Sequence, residues 1–307
     1  MRLLYFFQSV RNPVLDAFFA VITKLGEETA FMVAAILVFW CISRNMGLYL
    51  LSTGFIGTII NQFLKLLFRV PRPWVLDPDF SIVESARAEA TGYSFPSGHT
   101  QSAVGTFGGI ARFTRKHWLR WAMVAICVLV PLSRMYLGVH TPMDVGVSVV
   151  IATALVFLLY PIFEKMDENP KGFYILAACM ALFSLAYVLY VELFPFGDAV
   201  GEDNLTHGIE NAYTMLGCVL GLLATLFLCK GLPRFETKAT LLGQILKLVL
   251  GLALVLALKE GLKPLMELIF GEHPAGRALR YFVIVVFATW LWPMTFPFFS
   301  KLGAKKK

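Results

Sequence analysis

An all-α, polytopic transmembrane helix bundle is the fold this sequence predicts, and three observations carry that reading. Of 307 residues, 58% are hydrophobic and 15% charged, and the mean hydropathy is +0.70, too apolar for a soluble globular domain. Several runs match the ~20 mostly apolar residues that a helix needs to cross a bilayer. None alternates as a barrel strand would.

The elements follow in order. Residues 1–25 mix apolar side chains with Arg2, Gln8, Arg11, Asp16 and Lys24, and Asn12-Pro13 reads as an N-cap and first-turn proline. This favours an interfacial or re-entrant helix, with a true span as the alternative. Spans are expected at about 28–43 and 46–68, the second bringing Lys65 to its far end. A loop of about 28 residues follows, where Pro71, Pro73 and Pro78 forbid continuous helix. Loops of that length usually carry function or are disordered.

A third helix should start at Pro96-Ser97-Gly98-His99 and run to about Phe113, its surface made small by Gly98, Ser102, Ala103, Gly105, Thr106, Gly108 and Gly109. Small residues let membrane helices approach closely. Further helices are expected at about 118–134, 141–162, 171–194, 208–229, 240–258 and 279–301. Gly217 and Gly221 suit helix packing. Lys247 is close enough to a helix end to snorkel. Lys259, Glu260, Lys263 and Glu267 read as charge pairs on an amphipathic surface segment, His207, Glu210 and Asn211 as polar residues opening a span, and His273 as a loop residue.

The five cysteines (Cys41, Cys127, Cys179, Cys218, Cys229) are odd in number, lie inside apolar runs and form no CxxC pair, which argues for small core or lipid-facing residues and against a disulfide or metal framework. The net charge of +7 points to topology rather than to nucleic acid, because the basic residues cluster in short inter-helix loops. Arg44, then Arg112, Arg115, Lys116 and Arg120, then Lys165 and Lys171, then Lys230, Arg234 and Lys238, then Lys305, Lys306 and Lys307 fall on one side of the expected spans. The positive-inside rule makes that side cytoplasmic. Lys65, Arg72, His99, Arg134 and His140 share the other side with Asp198, Glu202 and Asp203.

Those five residues belong to three polar stretches. Lys65-x6-Arg72-Pro73 precedes Pro96-Ser97-Gly98-His99, which precedes Ser133-Arg134-x5-His140-x3-Asp144. Arginine forks and a lysine point charge suit phosphate oxygens. Gly98 lets backbone N–H groups at a helix N-terminus approach an anion. Asp144, about one helical turn after His140, can hold one imidazole nitrogen and leave the other free to attack phosphorus. Thr141-Pro142 reads as N-cap and first helical residue, with His140 at the helix lip.

In order and spacing the three stretches resemble the tripartite signature of the type 2 phosphatidic acid phosphatase family, with all eleven specified positions filled. The resemblance covers roughly residues 1–165. It implies a six-helix catalytic membrane core there, with residues 166–307 as a C-terminal transmembrane extension. It also implies His140 as nucleophile, Asp144 as its orienter and His99 as acid and base. Lys65, Arg72, Ser97, Gly98 and Arg134 would bind phosphate, and no metal or cofactor is implied. Trp74, Tyr93 and Phe95 flank the site as candidates for a lipid entrance.

The implied activity is hydrolysis of a lipid phosphate or diphosphate, of the undecaprenyl diphosphate or glycerophospholipid phosphate type, at the extracytoplasmic face of a bacterial plasma membrane. Its partners would be the lipid phosphate and the bilayer, with no nucleic acid. A sphingoid-base or sugar phosphate phosphatase and a lipid phosphotransferase using the same site stay open. So does a carrier that only binds headgroups. Taken singly, each stretch has a plainer reading: a turn for PSGH, a basic membrane flank for Arg72-Pro73, a structural hydrogen bond for His140 and Asp144. Together they favour chemistry.

Overall fold

The computed structural model describes residues 1–197 and 201–302. Asp198 and Lys305, Lys306 and Lys307 lie outside the described residues. Every regular element is helical: α1 (Arg2–Ser9), α2 (Pro13–Thr23), α3 (Glu28–Leu37), α4 (Arg44–Phe68), α5 (Pro73–Leu76), α6 (Gly98–Ala103), α7 (Gly109–Phe113), α8 (His117–Tyr136), α9 (Pro142–Glu164), α10 (Lys171–Leu193), α11 (Glu202–Leu228), α12 (Leu241–Phe270), α13 (Ala275–Val286) and α14 (Phe296–Lys301). Wider π turns at Val38–Ile42, Val104–Gly108 and Phe287–Leu291 extend α3, join α6 to α7 and prolong α13. Among the described residues seven helices are long and apolar enough to cross a membrane, and an eighth crossing is possible through the pair Pro13–Gly26 and Glu28–Ile42, bent by 54°. That bent pair is what the interrupted N-terminal composition produces.

The chain divides into two compact units. The first comprises Met1–Met32, Leu50–Pro161 and Pro195–Gly208. Its N-terminus is built as the sequence suggests: Asn12 Oδ1 accepts from Val14 N at 3.1 Å and Leu15 N at 3.0 Å, and Pro13 opens α2. α1 and α2 both pack on α8. Leu4 is buried with Phe80, Ile82, Met135 and Val145, so the long loop after α4 contributes to the core. Ser94 N to Val70 O (2.8 Å) and Val83 N to Leu137 O (3.1 Å) fasten that loop at two points.

The second unit comprises Val33–Tyr49, Ile162–Phe194 and Ile209–Lys307. In it a Cβ at Gly217 would fall 2.1 Å from Ala278 O, the close α11–α13 approach that the glycine pair suggested. Trp40 Nε1 donates to Ala288 O at 2.8 Å, and Arg44 pairs with Asp167 and with Pro233 O. α12 runs to Phe270, well past the expected end near 258, and takes Lys259, Glu260, Lys263 and Glu267 into one helix. Polar residues can extend a membrane helix beyond its apolar stretch because the backbone ladder continues at the interface. Lys247 reaches back toward the start of its helix, as expected, and ends against protein groups. It is 1% exposed, donates to Thr237 O at 2.9 Å and lies 4.6 Å from the Phe296 ring centre, because a carbonyl and an aromatic face inside the unit satisfy it.

Candidate active site

The site is assembled between two helix termini in the first unit. α8 ends in a Schellman motif: Val139 N bonds to Arg134 O (3.1 Å) and Gly138 N to Met135 O (3.1 Å). Gly138 has φ +83°, a left-handed turn that suits glycine. The turn leaves His140 just ahead of α9. Thr141 and Asp144 then cap α9 reciprocally, Asp144 N donating to Thr141 Oγ1 at 3.3 Å and Thr141 N to Asp144 Oδ2 at 2.7 Å. The same Oδ2 lies 3.5 Å from His140 Nδ1 and accepts from Ser94 Oγ at 2.5 Å. Helix capping thus fixes the carboxylate that faces the imidazole.

Arg72 contacts the other imidazole nitrogen. Its Nη1 lies 3.0 Å from His140 Nε2 and 3.0 Å from Val139 O, while Nε donates to Gly92 O (2.9 Å) and Nη2 to Thr91 O (2.6 Å). A guanidinium can only donate, so Nε2 is the acceptor and the ring proton resides on Nδ1, facing Asp144. His140 is 2% exposed. Burial first, and then the charges of Arg72, Arg134 and Lys65, hold its pKa well below the ordinary histidine value. The ring is neutral, and its Nε2 lone pair accepts from Arg72 Nη1.

The remaining cations come from separate elements. Lys65, near the end of α4, donates from Nζ to Tyr93 O at 2.6 Å. Arg134, 1% exposed in the last turn of α8, donates from Nη1 to Thr23 Oγ1 at 2.7 Å, while its buried Nε has no hydrogen-bond partner. Ser97 caps α6 by accepting from Thr100 N at 3.4 Å, and Ser97 N donates to Asp144 O at 3.2 Å. Gly98 and His99 open α6 behind that cap. Asn61 of α4 holds the turn from the other side, its Nδ2 donating to Pro96 O at 3.3 Å.

The structure brings all eight sequence-predicted residues together: Lys65, Arg72, Ser97, Gly98, His99, Arg134, His140 and Asp144. The charges of Lys65, Arg72 and Arg134 bear on both histidines. It also adds Thr23, Asn61, Glu89 and Ser94. Ser94 sits two residues before Pro96 and looks like any turn serine, and Thr23 lies in a short apolar run. Only the packed loop and the N-terminal helices bring them to the site.

The PAP2 superfamily model matches residues 44–167, and the model for the PAP2 superfamily phosphatase transmembrane extension matches residues 213–306. The class is therefore an integral-membrane phosphatase. Undecaprenyl-diphosphatase BcrC of Bacillus subtilis is 33% identical over 156 residues, covering 50% of this chain and 77% of that protein. Phosphatidylglycerophosphatase B of the same organism is 31% identical over 176 residues, covering 53% and 81%. Sphingosine-1-phosphate phosphatase 1 of Mus musculus is 26% identical over 274 residues, covering 83% and 61%. The chain belongs to the PAP2 superfamily.

Proposed function

We propose that this protein hydrolyses a lipid phosphate or diphosphate through a phosphohistidine on His140, without a metal. The observation that carries the reading is the 3.0 Å contact from Arg72 Nη1 to His140 Nε2, opposite the Nδ1 that faces Asp144. It marks Nε2 as the unprotonated nitrogen, whose lone pair attacks once Arg72 turns that N–H to the phosphoryl oxygens, and it puts a cation beside the place where those oxygens would lie. His140 Nε2 attacks phosphorus as the ester or anhydride bond breaks, and His99 gives a proton to the departing oxygen. Asp144 stabilises the positive ring. His99, now neutral, takes a proton from water as that water attacks the phosphohistidine and releases phosphate. Lys65, Arg72, Arg134, Ser97 Oγ and the backbone at Gly98 hold the phosphoryl oxygens.

The substrate reading is an isoprenoid diphosphate or a glycerophospholipid phosphate, supported by the kinship to the two Bacillus subtilis enzymes. In this reading residues 1–165 are the catalytic core and residues 166–307 its extension. In the same reading the site faces the extracytoplasmic side of a bacterial plasma membrane, and the basic loops expected on the opposite side support that orientation. A sphingoid-base phosphate is the second reading, favoured by the mouse relative, whose similarity spans 83% of this chain.

The test is phosphate release by purified protein in detergent, on undecaprenyl diphosphate, phosphatidylglycerophosphate, phosphatidic acid and sphingosine phosphate, beside His140→Asn. Stoichiometric release lost in the variant supports hydrolysis and ranks the substrates. Lipid turnover without free phosphate would favour the transferase. No turnover of any member would contradict the reading.

A further inference from the structure

The acid role of His99 poses an electrostatic problem that its surroundings address. His99 opens α6, which packs on α8 and on the turn Lys24–Gly26. Three cations face its ring: Arg134 from α8, Lys65 from α4 and Arg72 from the loop. Neutral His140 is a fourth titratable neighbour, and its charge would add to theirs. Burial first, and then the three cations, resist the imidazolium that a general acid must be before it acts. Asp144 is engaged with Ser94 and Thr141 beside His140, and Glu27, next to that turn, acts on Arg134, as Glu89 does more strongly. Glu89 remains, with its Oε2 3.8 Å from His99 Nε2, a buried nitrogen that has no hydrogen-bond partner. Its side chain is 38% exposed and belongs to the loop between α5 and α6.

We infer that Glu89 is a positioning residue for the general acid, its carboxylate beside Nε2 favouring the protonated His99 ring that gives the leaving oxygen a proton. The inference rests on the reading of His99 as acid. An opposite charge at this distance shifts a neighbouring group by about one pH unit or more, and partial exposure keeps the effect near the lower end. Glu89 makes no contact with phosphate in this role; it acts on the transferred proton through His99, and its charge also bears on Arg134. The demand for a proton depends on the leaving group. An alkoxide needs it and a nitrophenolate does not, so the contribution of Glu89 should depend on the substrate.

The experiment compares wild type with Glu89→Gln and Glu89→Asp, full-length in detergent, on phosphatidic acid and on para-nitrophenyl phosphate, across pH. Glu89→Gln should lose about tenfold in kcat on phosphatidic acid and less than about twofold on the aryl ester. Its alkaline limb on phosphatidic acid should move down by about one pH unit, and Glu89→Asp should recover most of that shift. An equal loss on both substrates, or an unmoved alkaline limb, would overturn the inference. Matching thermal unfolding of the variants separates it from misfolding. His140→Asn is the control for the underlying reading. If that variant still releases phosphate, or wild type releases none from either substrate, the site assignment itself fails and the role of Glu89 with it.

Discussion

The Ser94 hydroxyl donates to Asp144 Oδ2 at 2.5 Å while standing 3.5 Å from His140 Nδ1, so one serine braces both the carboxylate and the ring it faces. Removing it should loosen the orienter without touching the phosphate cations. Ser94→Ala is expected to lower kcat by about tenfold, the effect of roughly one hydrogen bond to a charged group, and to leave KM within about twofold. Initial rates of phosphate release measure both.

Arg72 reaches Gly92 O, Thr91 O, Val139 O and His140 Nε2 at once. Lysine has a single ammonium and cannot span four acceptors. Arg72→Lys should leave buried carbonyls unpaired, cost about 1–3 kcal/mol in stability, and reduce kcat/KM by more than about a hundredfold. Detergent thermal melts and steady-state rates would show the two losses together.

Thr23 links the N-terminal helices to Arg134, one of the cations proposed to hold phosphate, through its 2.7 Å bond with Arg134 Nη1. Thr23→Val keeps the shape and removes the acceptor. Inhibition by vanadate, a phosphate-like anion, should weaken by about fivefold to tenfold, read from the inhibition constant at fixed substrate.

This link was not legible in the sequence. The mixture of charges and apolar residues in residues 1–25 revealed the interrupted character of the segment and the Asn12 cap, both local properties. It carried no signal that Thr23 would meet Arg134, 111 positions away. The three motifs were legible because they gather charged and polar residue types that are rare in a greasy chain. Span positions were legible from hydropathy, but α12 overran its expected end because hydropathy records where lipid stops, not where backbone hydrogen bonding stops. For Lys247 the distance to a helix end is visible in the sequence, and its partner Thr237 O in the loop ahead of that end is not.

Acid should destabilise the folded protein through His140. Its folded pKa lies well below the ordinary value, chiefly because of burial, whereas the unfolded chain takes up a proton near pH 6.5. Above that pH both states are neutral and the group contributes no pH dependence. Below it the unfolded state binds more protons, so stability falls as pH falls, by up to about 1.4 kcal/mol per pH unit. His140→Asn removes this contribution. Melting temperatures between about pH 5 and 8 should therefore fall less steeply on acidification in the variant than in wild type.

The central claim is that His140 becomes phosphorylated during turnover. Rapid acid-free quenching of purified enzyme with lipid substrate radiolabelled in the transferred phosphate, followed by peptide mapping, tests it directly. The account predicts an acid-labile, base-stable phosphoryl group on His140 that appears before free phosphate and is absent in His140→Asn. Full phosphate release with no labelled peptide at any time, or label on another residue that persists in His140→Asn, would contradict it.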